Sequence, residues 1–249
     1  MYPHYIKVLT FQYVLNPYKV IDLLAQHEID YNWLSANPHP QAVKTLLSDV
    51  NKIDWRVFSE NSNTKAVKYL LDRPHKISDY EILVNSNSAV VSYLLENSEK
   101  RIKRWDLFSN NTNDIAVDYL LKNQDKIDWF WFSGNSNPRA VEYLLSNLDK
   151  ICWNGFSTNS NPRAVDYMIS HLEIIYYNSF YFNTNDKAIK YMLEKYKDIA
   201  YDISYNCNPE AAKYLEKIEY DEIQWDIYYS WSGIFELDQK KYKKMLSLL

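Results

Sequence analysis

The sequence predicts an all-α fold, specifically an α-solenoid of about nine 24-residue helix-turn-helix repeats with a capping helix at each end. Three observations carry this. The phrase Asn137-Pro-Arg-Ala-Val-Glu-Tyr-Leu-Leu145 returns as Asn161-Pro-Arg-Ala-Val-Asp-Tyr-Met-Ile169, with looser copies from Asn63 and Asn185. The residue after the Asn falls at Pro17, Pro40, Thr64, Ser88, Asp114, Pro138, Pro162, Asp186 and Pro209, with gaps of 23 to 26 residues. Each copy also carries two helical apolar patterns. A fixed period of this length is the signature of a repeat architecture, in which no unit buries its apolar face alone.

Taken in order, residues 1–15 read as the starting cap, 16–232 as the repeats and 233–249 as the closing cap, all within a single repeat domain. The long segment of each repeat opens on Asn followed by Pro, Asp, Ser or Thr. Asn is a strong N-cap, and Pro suits the first helical position. At about 100° per residue, Ala164, Val165, Met168 and Ile169 form one apolar stripe, Tyr167 lies on its edge, and Arg163 and Asp166 face the other way. This predicts an amphipathic helix of about three turns. The short segment is typified by Lys52-Ile-Asp-Trp-Arg-Val-Phe-Ser59, where Asp54 is placed to cap and Trp55 and Phe58 share a face. It predicts a helix of about two turns. A strand, giving a β/α solenoid, is the alternative, and the Trp-x-x-Phe spacing disfavours it. Stacking is expected to bury a spine of Trp55, Trp105, Trp129, Trp153 and Trp225, with Tyr31, Tyr80, Tyr177 and Tyr201 as substitutes.

Composition narrows the function. Charged residues are 24% and apolar residues 47%, which suits a folded chain. A net charge of -4 offers no general attraction to nucleic acid or acidic membranes. No apolar run approaches the roughly 18 residues that cross a bilayer, and Met1 to Leu9 lack a signal-peptide pattern. The chain therefore reads as soluble, not secreted and cytoplasmic. Cys152 and Cys207 are far apart and outside any Cys-x-x-Cys pair, as expected of reduced residues. Only 3 glycines are present, which leaves little material for phosphate loops or nucleophile elbows. The five histidines are scattered without metal-ligand spacing. Ser59, Ser109, Ser133 and Ser157 recur at one repeat position, which suits capping better than a nucleophile needed once. No catalytic residue, metal site or cofactor is expected.

The phrases Lys-Ile-Asp-Trp-x-x-Phe-Ser-x-Asn-x-Asn-Pro-x-Ala-Val and Ile234-Phe-Glu-Leu-Asp238 resemble tandem-repeat proteins of giant DNA viruses of the mimivirus type, over about residues 14–238. The chain departs from the commoner pattern in using Ser-Asn or Thr-Asn where Asn-Pro is usual, and in its Tyr column. The resemblance implies a virus-encoded protein made in an amoebal host, acting in the host cytoplasm or carried in the virion. It brings no catalytic residues.

Several columns are candidates for recognition. The Asn columns at 61, 85, 111, 135, 159, 183 and 206, and at 63, 87, 113, 137, 161, 185 and 208, read as structural. The second caps helices; the first either ends the preceding helix in the left-handed conformation or bridges repeats. Tyr143 and Tyr167 belong to a column at the core edge. Arg139 lies three residues before Glu142, and Arg163 three before Asp166, so local pairing within each helix is expected, with an electrostatic stripe for a partner as the alternative. Phe130 and Trp131 occupy slots where other repeats carry Arg56-Val57, Asp106-Leu107 and Asn154-Gly155, and aromatics are common binding anchors. Lys100, Arg101, Lys103 and Arg104 form a basic loop in the longest repeat, read as solvated and not as a specific nucleic-acid site. The expected function is a non-enzymatic protein-binding scaffold. The alternative is a structural or virion-associated protein that self-associates or contacts other viral proteins.

Overall fold

The computed structural model describes residues 31–196 and, beyond them, Ile199, Ile203, Asn206, Asn208, Glu210, Ala211 and Tyr214; at Trp33 it describes the backbone alone. The two caps, the repeat opening at Pro17, Tyr201, Cys207 and Trp225 lie outside these residues. The described part is all-helical, without a strand, and it repeats. No helix in it is long and apolar enough to cross a membrane.

Each repeat has three parts. Short helices span Tyr31–Ala36, Trp55–Phe58, Trp105–Ser109, Trp129–Gly134, Trp153–Ser157 and Tyr177–Phe180, and a 3-10 turn, Glu81–Val84, takes that place in one repeat. Long helices span Pro40–Ser48, Thr64–Leu71, Ser88–Leu95, Asp114–Lys122, Pro138–Ser146, Pro162–Ser170 and Asp186–Lys195. Connectors are single 3-10 turns such as Leu148–Lys150, except for an α-helical turn at Ser98–Arg101. Both helix types are shorter than the sequence pattern suggests. The Asn-x-Asn segment stays extended and the connector takes the last residues, so the apolar stripe outruns the helix that carries it. Elements of 4 to 10 residues are too short to persist alone, since helix nucleation costs more than one or two turns return. Packing against the neighbouring repeat must supply the difference.

That packing has a fixed composition. The long helices bury Ala-Val-x-x-Leu triplets such as Ala140, Val141 and Leu144. The short segments bury Phe58, Phe108, Phe132, Phe156 and Phe180 completely, with Ile82 in the same place. The expected Trp spine is thus displaced by a Phe column. Trp55, Trp105, Trp129 and Trp153 are half-buried beside it, because a two-ring side chain at the start of a one-turn helix reaches the edge of the stack. Each Trp meets its own Phe edge-on at 5.7–5.9 Å and lies parallel to the Tyr of the following long helix at 6.1–6.3 Å. These offset and T-shaped geometries are the favourable ones for aromatic rings. The connector lysines Lys76, Lys126 and Lys150 cover the outer faces of Trp55, Trp105 and Trp129 at 5.4–5.7 Å. Tyr80 does not join this column. Asp79 holds the Trp position there, six residues before the buried Asn, and the Tyr80 ring is 52% exposed.

The strongest regularity is polar. Asn61, Asn85, Asn111, Asn135, Asn159, Asn183 and Asn206 are all buried. Asn135 is representative: its Nδ2 donates to the carbonyls of Ser109 at 3.0 Å and Asn111 at 2.9 Å in the preceding repeat, and its Oδ1 accepts from the Asn137 amide at 3.0 Å. The same three bonds recur at the other positions, as at Asn61 and Asn159. The second Asn column caps as expected. Asn137 Oδ1 accepts from the Arg139 amide, and its Nδ2 also reaches back to the Thr112 carbonyl at 2.9 Å. The left-handed alternative for the first column is wrong: Asn85 and Asn135 have φ -68 with extended ψ, and no described non-glycine residue has positive φ. An extended backbone is needed to bring Oδ1 to the amide two residues on.

The serine column bridges repeats instead of capping helices. Ser133 Oγ donates to the Trp129 carbonyl at 2.6 Å and accepts the Cys152 amide of the next repeat at 2.9 Å. Ser35, Ser59, Ser109 and Ser157 do the same.

A buried group left without its partner costs about 1–3 kcal/mol, well above the net gain from making one bond. Asn135→Ala strands two carbonyls and one amide. We expect it to remove roughly 3 kcal/mol or more of stability, read as a lower urea midpoint with helical circular dichroism retained below the transition. A loss under about 1 kcal/mol would show that the bridge contributes little.

Candidate functional site

The sequence candidates fall on two separate rows. Phe130 and Trp131 lie on the short helix Trp129–Gly134, which Asp128 caps through its carboxylate to the Phe130 and Trp131 amides. Arg139, Glu142 and Tyr143 lie on the long helix Pro138–Ser146, and Arg163, Asp166 and Tyr167 on Pro162–Ser170.

On the long-helix row most groups already have partners. Tyr143 stacks on Trp129; Tyr167 stacks on Trp153 and also on the His171 ring, 4.2 Å away. Both form walls of the core. The expected pairing within each helix does not form. Arg139 Nη1 donates to Asp118 at 2.6 Å, and Lys187 Nζ to Asp166 at 2.6 Å, so each base reaches the acid of the preceding repeat. Translation by one repeat brings these ends closer than one helical turn does. Arg163 and Glu142 are exposed and make no ion pair among the described residues. Such exposed pairs contribute little to stability.

On the short-helix row the two aromatics remain open. Phe130 and Trp131 are each 39% exposed and meet edge-on at 5.4 Å. In the Trp131 slot Val57 is buried and Leu107 packs against the core. Residues 129–134, 153–158 and 177–182 carry no charged side chain, whereas 55–60, 79–84 and 105–110 carry Arg56, Glu60, Asp79, Glu81 and Asp106. The pair therefore opens the uncharged half of this row, where Phe182 is also exposed.

Gly155 fixes the backbone under the pair, a role that sequence reasoning missed. A Cβ at Gly155 would lie 2.1 Å from the Phe130 carbonyl oxygen, so the helix Trp153–Ser157 sits directly against the Phe130 backbone. The available signal was its rarity, since the chain has 3 glycines in all.

The basic loop is largely paired. Lys103 meets Asp79, Arg104 grips Asp106, and the Arg101 guanidinium lies 3.7 Å over the Tyr93 ring and pairs with Glu96. No group of three or more metal-ligating side chains gathers among the described residues. Carboxylate shifts trace local contacts. Burial pushes Glu60 up, and Glu81 adds to it. Burial also acts upward on Glu81, but hydrogen bonds from Ser78 and Arg56 outweigh it and hold the group below its ordinary range. Arg104 lowers Asp106 against a smaller upward effect of burial. Comparison with protein-family models, curated proteins and solved structures gave no match.

Two outcomes follow. Gly155→Ala should destabilise by about 1–3 kcal/mol through overpacking and shift the fluorescence of Trp131 or Trp129; an unchanged urea midpoint would contradict the close approach. Because the folded-state value of Glu81 is depressed, its contribution is present above the ordinary carboxylate range and is lost as pH falls through the folded value. The stability difference between wild type and Glu81→Gln should therefore shrink on acidification, and a difference that grows would reverse the sign.

Proposed function

We propose that this chain is an α-solenoid acting as a non-enzymatic protein-recognition scaffold, with Phe130 and Trp131 as its anchor. The observation that carries the reading is the exposed aromatic pair, placed on a framework whose core does not require it. The other repeated aromatics serve the framework, since Phe fills the stack, Trp leans on Phe, and Tyr stacks on Trp. Rigid aromatics held by a fixed backbone lose little conformational freedom on binding, which is why such residues dominate interfaces. The uncharged surroundings favour a partner that presents an apolar segment. On the resemblance to giant-virus repeat proteins, we take the chain as virus-encoded and the partner as a host or viral protein. The pairing of the basic loop and the net charge of -4 speak against a nucleic-acid ligand.

The test is affinity capture from source-cell lysate with wild type beside the Phe130→Ala/Trp131→Ala double variant. Circular dichroism and urea unfolding should first show a stability change under about 1 kcal/mol, as for partly exposed residues. A partner held by wild type should bind the variant at least 30-fold more weakly, matching an anchor of about 2 kcal/mol. Equal retention by both proteins, or unfolding of the variant, would overturn the reading. Capture of the chain by itself alone would point to the structural, self-associating alternative.

A further inference from the structure

We propose that Asn154 is a site of spontaneous, structure-assisted deamidation, at which the folded chain converts a neutral side chain of its short-helix row into a carboxylate. Asn154-Gly155 is the one Asn-Gly pair in the sequence. The reaction needs a carboxamide carbon open to attack, the backbone nitrogen of the next residue as nucleophile, and no side chain crowding that nitrogen. Glycine meets the last condition, because it has no Cβ and its backbone is conformationally permissive.

The structure supplies the other two. In other repeats the aspartate before the short helix binds the amides two and three residues on, as Asp54 does for Arg56 and Val57, and Asp128 for Phe130 and Trp131. Cys152 stands in that slot and makes no such bond, so the Gly155 amide lacks the acceptor that the equivalent amides of Val57 and Trp131 have. A first turn without a cap leaves its amides unsatisfied and opens more readily. Here that turn begins the five-residue helix Trp153–Ser157, and its opening lets Asn154 ψ carry the Gly155 nitrogen toward Cγ. The carboxamide is prepared as well. The Ser179 hydroxyl of the next repeat donates to Asn154 Oδ1, and Nδ2 makes no hydrogen bond among the described residues. A donor on the oxygen stabilises the charge that builds there during attack, and an unheld nitrogen is free to leave. Asn135 is the contrast: its Nδ2 and Oδ1 are both bonded, and Ser136 follows it.

In the first step the Gly155 nitrogen gives its proton to solvent and bonds to Asn154 Cγ. The Cγ–Nδ2 bond breaks, and Nδ2 leaves as ammonia from a succinimide ring. Water then adds to one of the two ring carbonyls and reopens the ring, giving aspartate or isoaspartate at position 154. Aspartate matches Asp106, which holds this slot in another repeat, and a carboxylate in the first turn of a helix is favourable. Isoaspartate adds a methylene to the main chain and displaces Gly155 from its seat on the Phe130 carbonyl. Either product places a negative charge in residues 153–158, which carry none. That this charge weakens an apolar partner of the Phe130–Trp131 pair rests on the recognition reading above; the chemistry at Asn154 does not.

The test is incubation of the folded full chain at mildly alkaline pH, with peptide mass spectrometry following the amide-to-acid mass change at each asparagine. Position 154 should convert before any other asparagine of residues 31–196. Cys152→Asp, which restores the cap seen at Asp54 and Asp128, should slow conversion about fivefold, the worth of an N-cap expressed as a rate. Ser179→Ala should slow it as well, with circular dichroism showing both variants folded. In concentrated urea, where the site is only a sequence, all three proteins should convert at one rate. Equal rates among the folded proteins, the same slowing in urea, or a folded chain that keeps Asn154 while other asparagines convert would overturn the proposal.

Discussion

The structure depends on a buried asparagine that takes the place of a strand partner. A chain of one- and two-turn helices exposes many backbone carbonyls and amides at helix ends, and burying them in a stack is unfavourable unless each finds a partner. The carboxamide suits this position because it offers two donors and an acceptor at one point. Asn135 directs both donors to the carbonyls of one neighbour and its acceptor to its own chain. Aspartate lacks the donors, glutamine is a methylene too long, and serine has a single proton. One residue type therefore recurs at every described turn while its surroundings vary.

This constraint separates framework from surface. Contacts that set the spacing between repeats run through main-chain atoms and through residues at fixed slots: the two Asn, the Ser, the Phe and the Ala-Val-Leu triplet. The side chains of one short-helix slot, Arg56, Tyr80, Asp106, Phe130 and Asn154, are not among these, and they differ from repeat to repeat while the fixed contacts recur. A repeat framework of this kind tolerates variation at those positions at little cost in stability. The same logic explains why Gly155 matters more than its neighbours: its backbone, and not its side chain, is part of the spacing.

Much of the framework is legible in the sequence. The period, the N-cap role of the second Asn column and the helical character of both segments follow from residue type and spacing. The partners across repeats are not legible, because a pattern along the chain does not show which residue of the next copy lies nearest. Hence the sequence leaves the first Asn column open to a left-handed reading, matches Arg139 to Glu142 instead of Asp118, and makes the serines look like caps. The Trp column misleads for another reason. Size suggests burial, but a Trp at the first position of a one-turn helix sits beside the stack, and the smaller Phe three residues on fills its centre. For the candidate site, sequence singles out Phe130 and Trp131 as departures from their columns; their exposure and their seat on Gly155 emerge only in three dimensions.

If the side-chain amides of the first asparagine column are permanent structural donors, exchange of their Nδ2 protons, followed by nuclear magnetic resonance, tests this directly. Those of Asn61, Asn85, Asn111, Asn135, Asn159 and Asn183 should exchange as slowly as backbone amides of the buried helices, while those of the exposed Asn51 should exchange at the rate of a free carboxamide. Free-carboxamide rates at the buried positions would contradict the asparagine bridge as the basis of the stack.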